Sequence, residues 1–248
     1  MALLFFQKTI FTPLYGLNWR LEVNQLDKKL FIQAIVKYLL GIILFSVLLF
    51  IPAGTLYYWN AWLLIVVLFI PMLIVGIVLA IKNPELLRKR LNAKEKEAEQ
   101  KSVILFGALM FVSGLVVAGL DYRYQWLVLP QWLFLAGTAL FLFAYLLYTE
   151  VLRENTYLSR TIEVQENHKV IDTGLYGIVR HPMYTSTVLL FLSMPLVLGS
   201  FFSFIIFLIY PVIMVKRIRN EEEVLEKSLE GYSEYKKRIK YGLIPFIW

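Results

Sequence analysis

Two short polar stretches hold the residues able to do chemistry. The first is Gly174-Leu-Tyr176-Gly-Ile-Val-Arg180-His181-Pro182-Met183-Tyr184. Proline is favoured at the first position of a helix, and the residue before it is pushed out of the helical region. His181 is therefore expected as an N-cap and Pro182 as the first helical residue. The free amides of such a turn favour an anionic group, and Arg180 and His181 add donors beside them. A carboxylate or phosphate pocket and a structural turn anchored at lipid headgroups read these residues equally well. The second stretch is Lys216-Arg217-Ile-Arg219-Asn-Glu221-Glu222-Glu223-Val-Leu225. Arg217 and Glu221 lie four apart and share one helix face. In isolation they would be a surface ion pair worth roughly 0.3–0.5 kcal/mol. The close of the chain carries Tyr232, Tyr235 and Trp248, which are expected to anchor the tail at an interface.

Other chemistries are excluded. The chain has no cysteine and only two histidines, His168 and His181, so thiolate chemistry and a multi-histidine metal cluster are ruled out. No GxGxxG, GxxxxGK[ST], HExxH or GxSxG is present. Composition points to the bilayer. Of 248 residues, 59% are hydrophobic, 16% aromatic and 17% charged, against about a quarter charged in soluble domains. Mean hydropathy is +0.65.

The elements that must position the two stretches follow from the uncharged runs. Tyr38–Leu56, Trp62–Ile81, Val103–Leu120 and Trp132–Thr149 are each long enough to cross a membrane. Thr185–Val215 is too long: a straight helix over it would extend about 46 Å against a hydrocarbon core of about 30 Å. It is either one long tilted span or a hairpin turning near Gly199–Ser200. Charge decides between them. Basic residues gather on the cytoplasmic side of short loops. With a hairpin, 24 Lys and Arg fall on one side and only Arg123 on the other. A single crossing would put the eight-charge tail outside. Six membrane helices with both termini cytoplasmic are therefore expected. The last two form a short hairpin over 185–215, followed by a cytoplasmic C-terminal helix. The net charge of +7 is then explained by topology and anionic lipid, and no nucleic acid or metal is expected.

Residues 1–37 are expected as an interfacial segment, with Met1–Arg20 an interfacial helix rather than a signal peptide. Residues 38–149 would hold four spans, and 150–248 the functional core. Lys82–Lys101 reads as a solvated amphipathic helix. Tyr57, Tyr58, Trp59 and Trp62, and again Tyr122, Tyr124, Trp126 and Trp132, read as interfacial belts. The spans lack ionisable residues, which argues against ion-coupled transport.

Taken together, the polar stretches resemble the isoprenylcysteine carboxyl methyltransferase family and the related phospholipid methyltransferases. The resemblance lies in GxYxxxRHPxY (Gly174 to Tyr184), a Pro-Leu-x-Leu-Gly-Ser turn (Pro195 to Ser200) and RxxxEExxL (Arg217 to Leu225). The tyrosine-bearing stretch Gly231-Tyr232-Ser-Glu-Tyr235-Lys-Lys-Arg238 and a final Leu-x-Pro (Leu243 to Pro245) complete it, and the whole covers about Gln165–Trp248. It implies S-adenosylmethionine in a cytoplasm-facing pocket and a lipophilic acceptor arriving from the bilayer. It implies cofactor contacts from Gln165, from His168, Lys169, Val170 and Ile171, from Tyr176, from His181, Pro182, Met183 and Tyr184, and from Glu221. Arg217 would position the acceptor, and Arg180 is its expected catalytic companion. A carboxylate acceptor needs no general base. An amine acceptor would need one, with Glu222 or His181 as candidates. The alternatives are an NADPH-dependent sterol-type membrane reductase, a phospholipid amine N-methyltransferase, and a non-catalytic scaffold that binds headgroups or a partner.

Overall fold

A computed structural model describes residues 28–92, 98–158 and 169–246. Those residues form helices and turns and contain no strand. The long apolar helices are α1 (Lys28–Ala53), α2 (Trp59–Lys82), α4 (Ala98–Tyr124) and α5 (Gln131–Glu154). A short helix, α3 (Pro84–Leu91), follows α2. Beyond the loop come α6 (Pro182–Leu198), α7 (Phe201–Phe207), α8 (Ile209–Ser228) and α9 (Tyr232–Arg238). Five segments are long and apolar enough to cross a membrane, with α7 and α8 together supplying the fifth; α6, at 17 residues, is shorter. The described residues thus make an all-helical integral membrane protein.

The run 185–215 does turn back on itself. Gly199 ends α6 in the left-handed region, φ 73°, where a side chain is strained. Ser200 then caps α7 by accepting from the Ser203 amide at 3.2 Å. The same hydroxyl donates to Asp121 at 2.6 Å. Tyr58 donates to the Leu198 carbonyl at 2.7 Å, and Asn60 to that of Val197 at 2.9 Å. The hairpin tip is therefore pinned to the end of α4 and the start of α2.

The break between α7 and α8 has a cause in Pro211, which has no amide to give the Phe207 carbonyl. Together α7 and α8 cover 28 residues, about 42 Å. That exceeds the hydrocarbon core, and the last turns, from Lys216 on, carry the polar stretch. Helix α6 is central and packs on α5 most extensively, then on α7, α2 and α8. A Cβ at Gly137 of α5 would stand 2.6 Å from the Leu196 Cβ, so the two backbones approach closely. Phe45, Phe111, Phe191, Phe207 and Tyr210 form a run of ring contacts linking α1, α4, α6, α7 and α8.

The structure corrects several expectations. Tyr58 is 1% exposed and belongs to the core, not to an aromatic belt; its ring stacks on Tyr122 and its hydroxyl is consumed by the hairpin tip. Asp121, just past the predicted span, lies inside α4 and is buried against Ser200. Helix α1 begins at Lys28 and continues without a break through residue 37. In Lys82–Lys101 the helix α3 ends at Leu91 and buries Leu86 and Leu87. Met1–Arg20 lies outside the described residues.

Ser200→Ala removes the partner of a buried carboxylate and a helix cap together. We expect a loss of about 1–3 kcal/mol, read as a lower thermal unfolding midpoint in detergent; Ser203→Ala, which spares Asp121, should cost less.

Candidate functional site

At the end opposite the hairpin tip, one cavity collects most of the predicted residues. It is lined by Val170 and Ile171 of the loop, by Tyr176, Arg180 and His181, by Met183 and Tyr184 of α6, and by Arg217 and Glu221 of α8. It holds about 820 Å³ of space not filled by protein atoms, its open mouth included.

Each wall has a local origin. A single 3-10 turn, Gly174–Gly177, carries Tyr176 inward. Gly174 sits at φ 51°, with the Glu154 carboxylate against its α-carbon, and Glu154 accepts the Leu175 amide at 3.1 Å. His181 is the N-cap of α6 and Pro182 its first residue, as proline geometry predicts. The C-terminal segment lies alongside: the Arg180 amide donates to the Tyr241 carbonyl at 2.9 Å and the His181 amide to that of Gly242 at 3.0 Å.

The polar groups fall into two sets. One is a chain across the cavity wall. Arg217 Nε donates to the Tyr184 hydroxyl at 2.9 Å, and that hydroxyl donates to Glu221 Oε2 at 2.5 Å. The predicted Arg217–Glu221 pair is thus bridged by a tyrosine from another helix. The other set is centred on Glu222. Its Oε1 accepts from Arg180 Nε at 2.7 Å and faces His181 Nε2 at 3.0 Å; its Oε2 meets Lys236 Nζ at 2.9 Å. Arg180 Nη1 also donates to the carbonyls of Ile239 and Lys240, at 2.8 and 2.7 Å.

This second set changes several assignments. Arg180 lines the cavity, but its Nε and Nη1 are committed to holding α8 and the tail. The Arg180 and His181 side chains, expected as donors to a ligand anion, turn toward Glu222. Both base candidates, Glu222 and His181, are bonded to each other. Tyr232 and Tyr235, expected as interfacial anchors, are each 4% exposed and line the cavity. Tyr235 donates to the Tyr176 carbonyl at 2.8 Å. Burial raises the phenols of Tyr176 and Tyr235 above the ordinary tyrosine value, so both stay neutral donors or acceptors. Pro182 is buried outside the lining and Lys169 is exposed away from it. Gln165, His168 and Trp248 lie outside the described residues.

Sequence reasoning missed Asn155, Tyr157 and Leu158, which follow α5, and Leu225 and Leu229 near the end of α8. Leu225 had a signal, standing one turn beyond Glu221 on the same face. Asn155 had none: its amide donates to the Tyr176 hydroxyl at 3.0 Å, a pairing that only the fold creates.

An all-helical membrane protein with a polar cavity built on a helical hairpin is the class that this geometry defines. Residues 135–227 match the model of the Isoprenylcysteine carboxyl methyltransferase (ICMT) family, a family of methyltransferases, and the motifs at 174–184, 195–200 and 217–225 lie within that stretch. The match runs from α5 to the last turn of α8. The chain is also 30% identical over 91 residues to Delta(14)-sterol reductase TM7SF2 of Mus musculus, a stretch that is 36% of this chain and 22% of that protein.

Glu222 and Arg180 side chains are about a tenth exposed, so breaking their pair leaves buried charge behind. Glu222→Gln should cost about 3 kcal/mol and release the tail, seen as a lower unfolding midpoint and faster proteolysis near 239–242.

Proposed function

We propose that the chain is an S-adenosylmethionine-dependent methyltransferase of the membrane, acting on a carboxylate of a lipophilic acceptor at its cytoplasmic face. The observation that carries this reading is the Arg217–Tyr184–Glu221 chain on the cavity wall, at the point where α8 leaves its apolar run. It sets a cation nearest the apolar spans and a carboxylate one turn further along.

The donor set suits the cofactor. Glu221 offers a carboxylate for an ammonium or for ribose hydroxyls. Tyr176 and Tyr184 offer aromatic faces, which favour a sulfonium by about 0.5–2 kcal/mol. Val170, Ile171 and Leu225 give apolar cover. When bound, S-adenosylmethionine supplies an electrophilic methyl group on a positively charged sulfur. The protein's part is to align the acceptor. Arg217 holds the acceptor carboxylate by charge-assisted hydrogen bonds and keeps one oxygen directed at the methyl carbon. Tyr184 fixes the guanidinium by accepting from Nε, and its ring lies 5.8 Å from the guanidinium carbon. A carboxylate is already deprotonated, so no base is required. This accords with Glu222 and His181 being bonded to each other, and it places the amine acceptor second.

The sterol reductase match favours one other reading, an NADPH enzyme. Its cofactor is a polyanion and calls for several cations directed at it. Two guanidinium groups, Arg180 and Arg217, line the cavity among the described residues, and Arg180 is engaged by Glu222 and the tail. A carboxylate, Glu221, also lines the cavity. The balance suits a zwitterionic sulfonium better than a phosphate ester.

Calorimetric titration of detergent-purified protein with S-adenosylhomocysteine, with NADPH in parallel, tests the choice; NADPH binding alone would overturn the proposal. Arg217→Ala is expected to lose methyl transfer at least about a hundredfold while keeping S-adenosylhomocysteine affinity. Glu221→Ala should lose both, so unchanged affinity in that variant would remove Glu221 from the cofactor site.

A further inference from the structure

Tyr232 is the cavity residue that hydrogen bonding within the protein leaves unexplained. It is 4% exposed and lines the cavity, and its hydroxyl is buried with no hydrogen-bond partner among the described residues. A buried hydroxyl without a partner costs free energy, and such groups are uncommon in native structures. The neighbouring Tyr235 shows the contrast, since its hydroxyl is satisfied by the Tyr176 carbonyl. Tyr232 also lies beyond the matched stretch, which ends at residue 227.

Its position along the cavity gives the ligand class. Arg217, Glu221, Leu225 and Leu229 follow one another at four-residue steps and all line the cavity. They form a row about 18 Å long. The row begins charged, beside the apolar spans, and ends apolar. The Tyr232 ring packs at the apolar end, with Leu229, Tyr235, Val170 and Leu225, and its hydroxyl is within electrostatic range of Glu222, Glu221 and Arg180. A slot with apolar and aromatic walls and one unpaired hydroxyl suits a flat heteroaromatic base. The charged end suits an amino-acid moiety and the reacting group.

We propose that the Tyr232 hydroxyl is a specificity contact of the cavity, donating a hydrogen bond to a ring nitrogen of the purine base of the bound adenosyl group. This rests on the methyltransferase reading above. The hydroxyl is then satisfied only in the liganded protein. A signature follows that a purely structural tyrosine would not give: removing the hydroxyl relieves an unpaired group in the free protein and removes a bond in the complex.

The test uses the full chain in detergent and Tyr232→Phe. S-adenosylhomocysteine is expected to bind the variant about tenfold more weakly. The unfolding midpoint without ligand should stay level or rise. Tyr235→Phe, by contrast, should lower that midpoint. 5′-Methylthioadenosine, which keeps the nucleoside and lacks the amino-acid end, should compete in the wild type and lose about the same factor in Tyr232→Phe. Equal S-adenosylhomocysteine affinity in wild type and Tyr232→Phe overturns the proposal. A weaker S-adenosylhomocysteine complex with no loss for methylthioadenosine, or no competition by it, overturns the assignment to the base. A wild type that binds NADPH and not S-adenosylhomocysteine overturns the reading beneath, and the proposal with it.

Discussion

A buried carboxylate shared among an arginine, a histidine and a lysine holds the polar end of this molecule together. Glu222 meets Arg180, His181 and Lys236, which come from the loop, the start of α6 and α9. Arg180 extends the network to two carbonyls of the tail. The junction of the loop with α6 is thus tied to α8, α9 and the tail around one side chain. Burying a charge is unfavourable unless it is paired and hydrogen-bonded, so removing any member leaves the others costly. The cavity exists because these segments cannot drift apart. With Glu222 holding them, the neighbouring Glu221 stays on the cavity wall, where a ligand can reach it.

The other end follows the same logic with smaller groups. Asp121, Ser200, Tyr58 and Asn60 fasten the hairpin tip to α4 and α2. A turn of two residues between apolar helices leaves backbone carbonyls without intrahelical partners. Side chains from the preceding spans supply those partners. The front of the chain, which carries no motif of its own, thereby sets the depth and direction of the hairpin that does.

Much of this was legible in sequence because it rests on local rules. His181-Pro182 reads as a helix start by proline geometry, and Gly199-Ser200 reads as a turn once charge is weighed against span length. Arg217 and Glu221 read as neighbours from helical spacing. What stayed hidden depends on contacts between distant segments. Nothing local distinguishes Glu221 from Glu222, yet one lines the cavity and the other is sealed among Arg180, His181 and Lys236. Tyr58, Tyr232 and Tyr235 have the amphipathic character of interface residues, and only packing shows them to be internal. Arg180 has the chemistry of an anion ligand, and the proximity of the tail turns it into a clasp.

Helix α3 lies outside the stretch matched to the methyltransferase family, yet it reaches the cavity wall. Arg90 contacts the Tyr148 hydroxyl, and its Nη1 stands 3.7 Å from the sulfur of Met183, a lining residue. The amino-terminal half is therefore mechanically coupled to the pocket through a side chain that belongs to none of the motifs. A change in α3 can therefore reshape that wall while the Arg217–Tyr184–Glu221 chain stays intact.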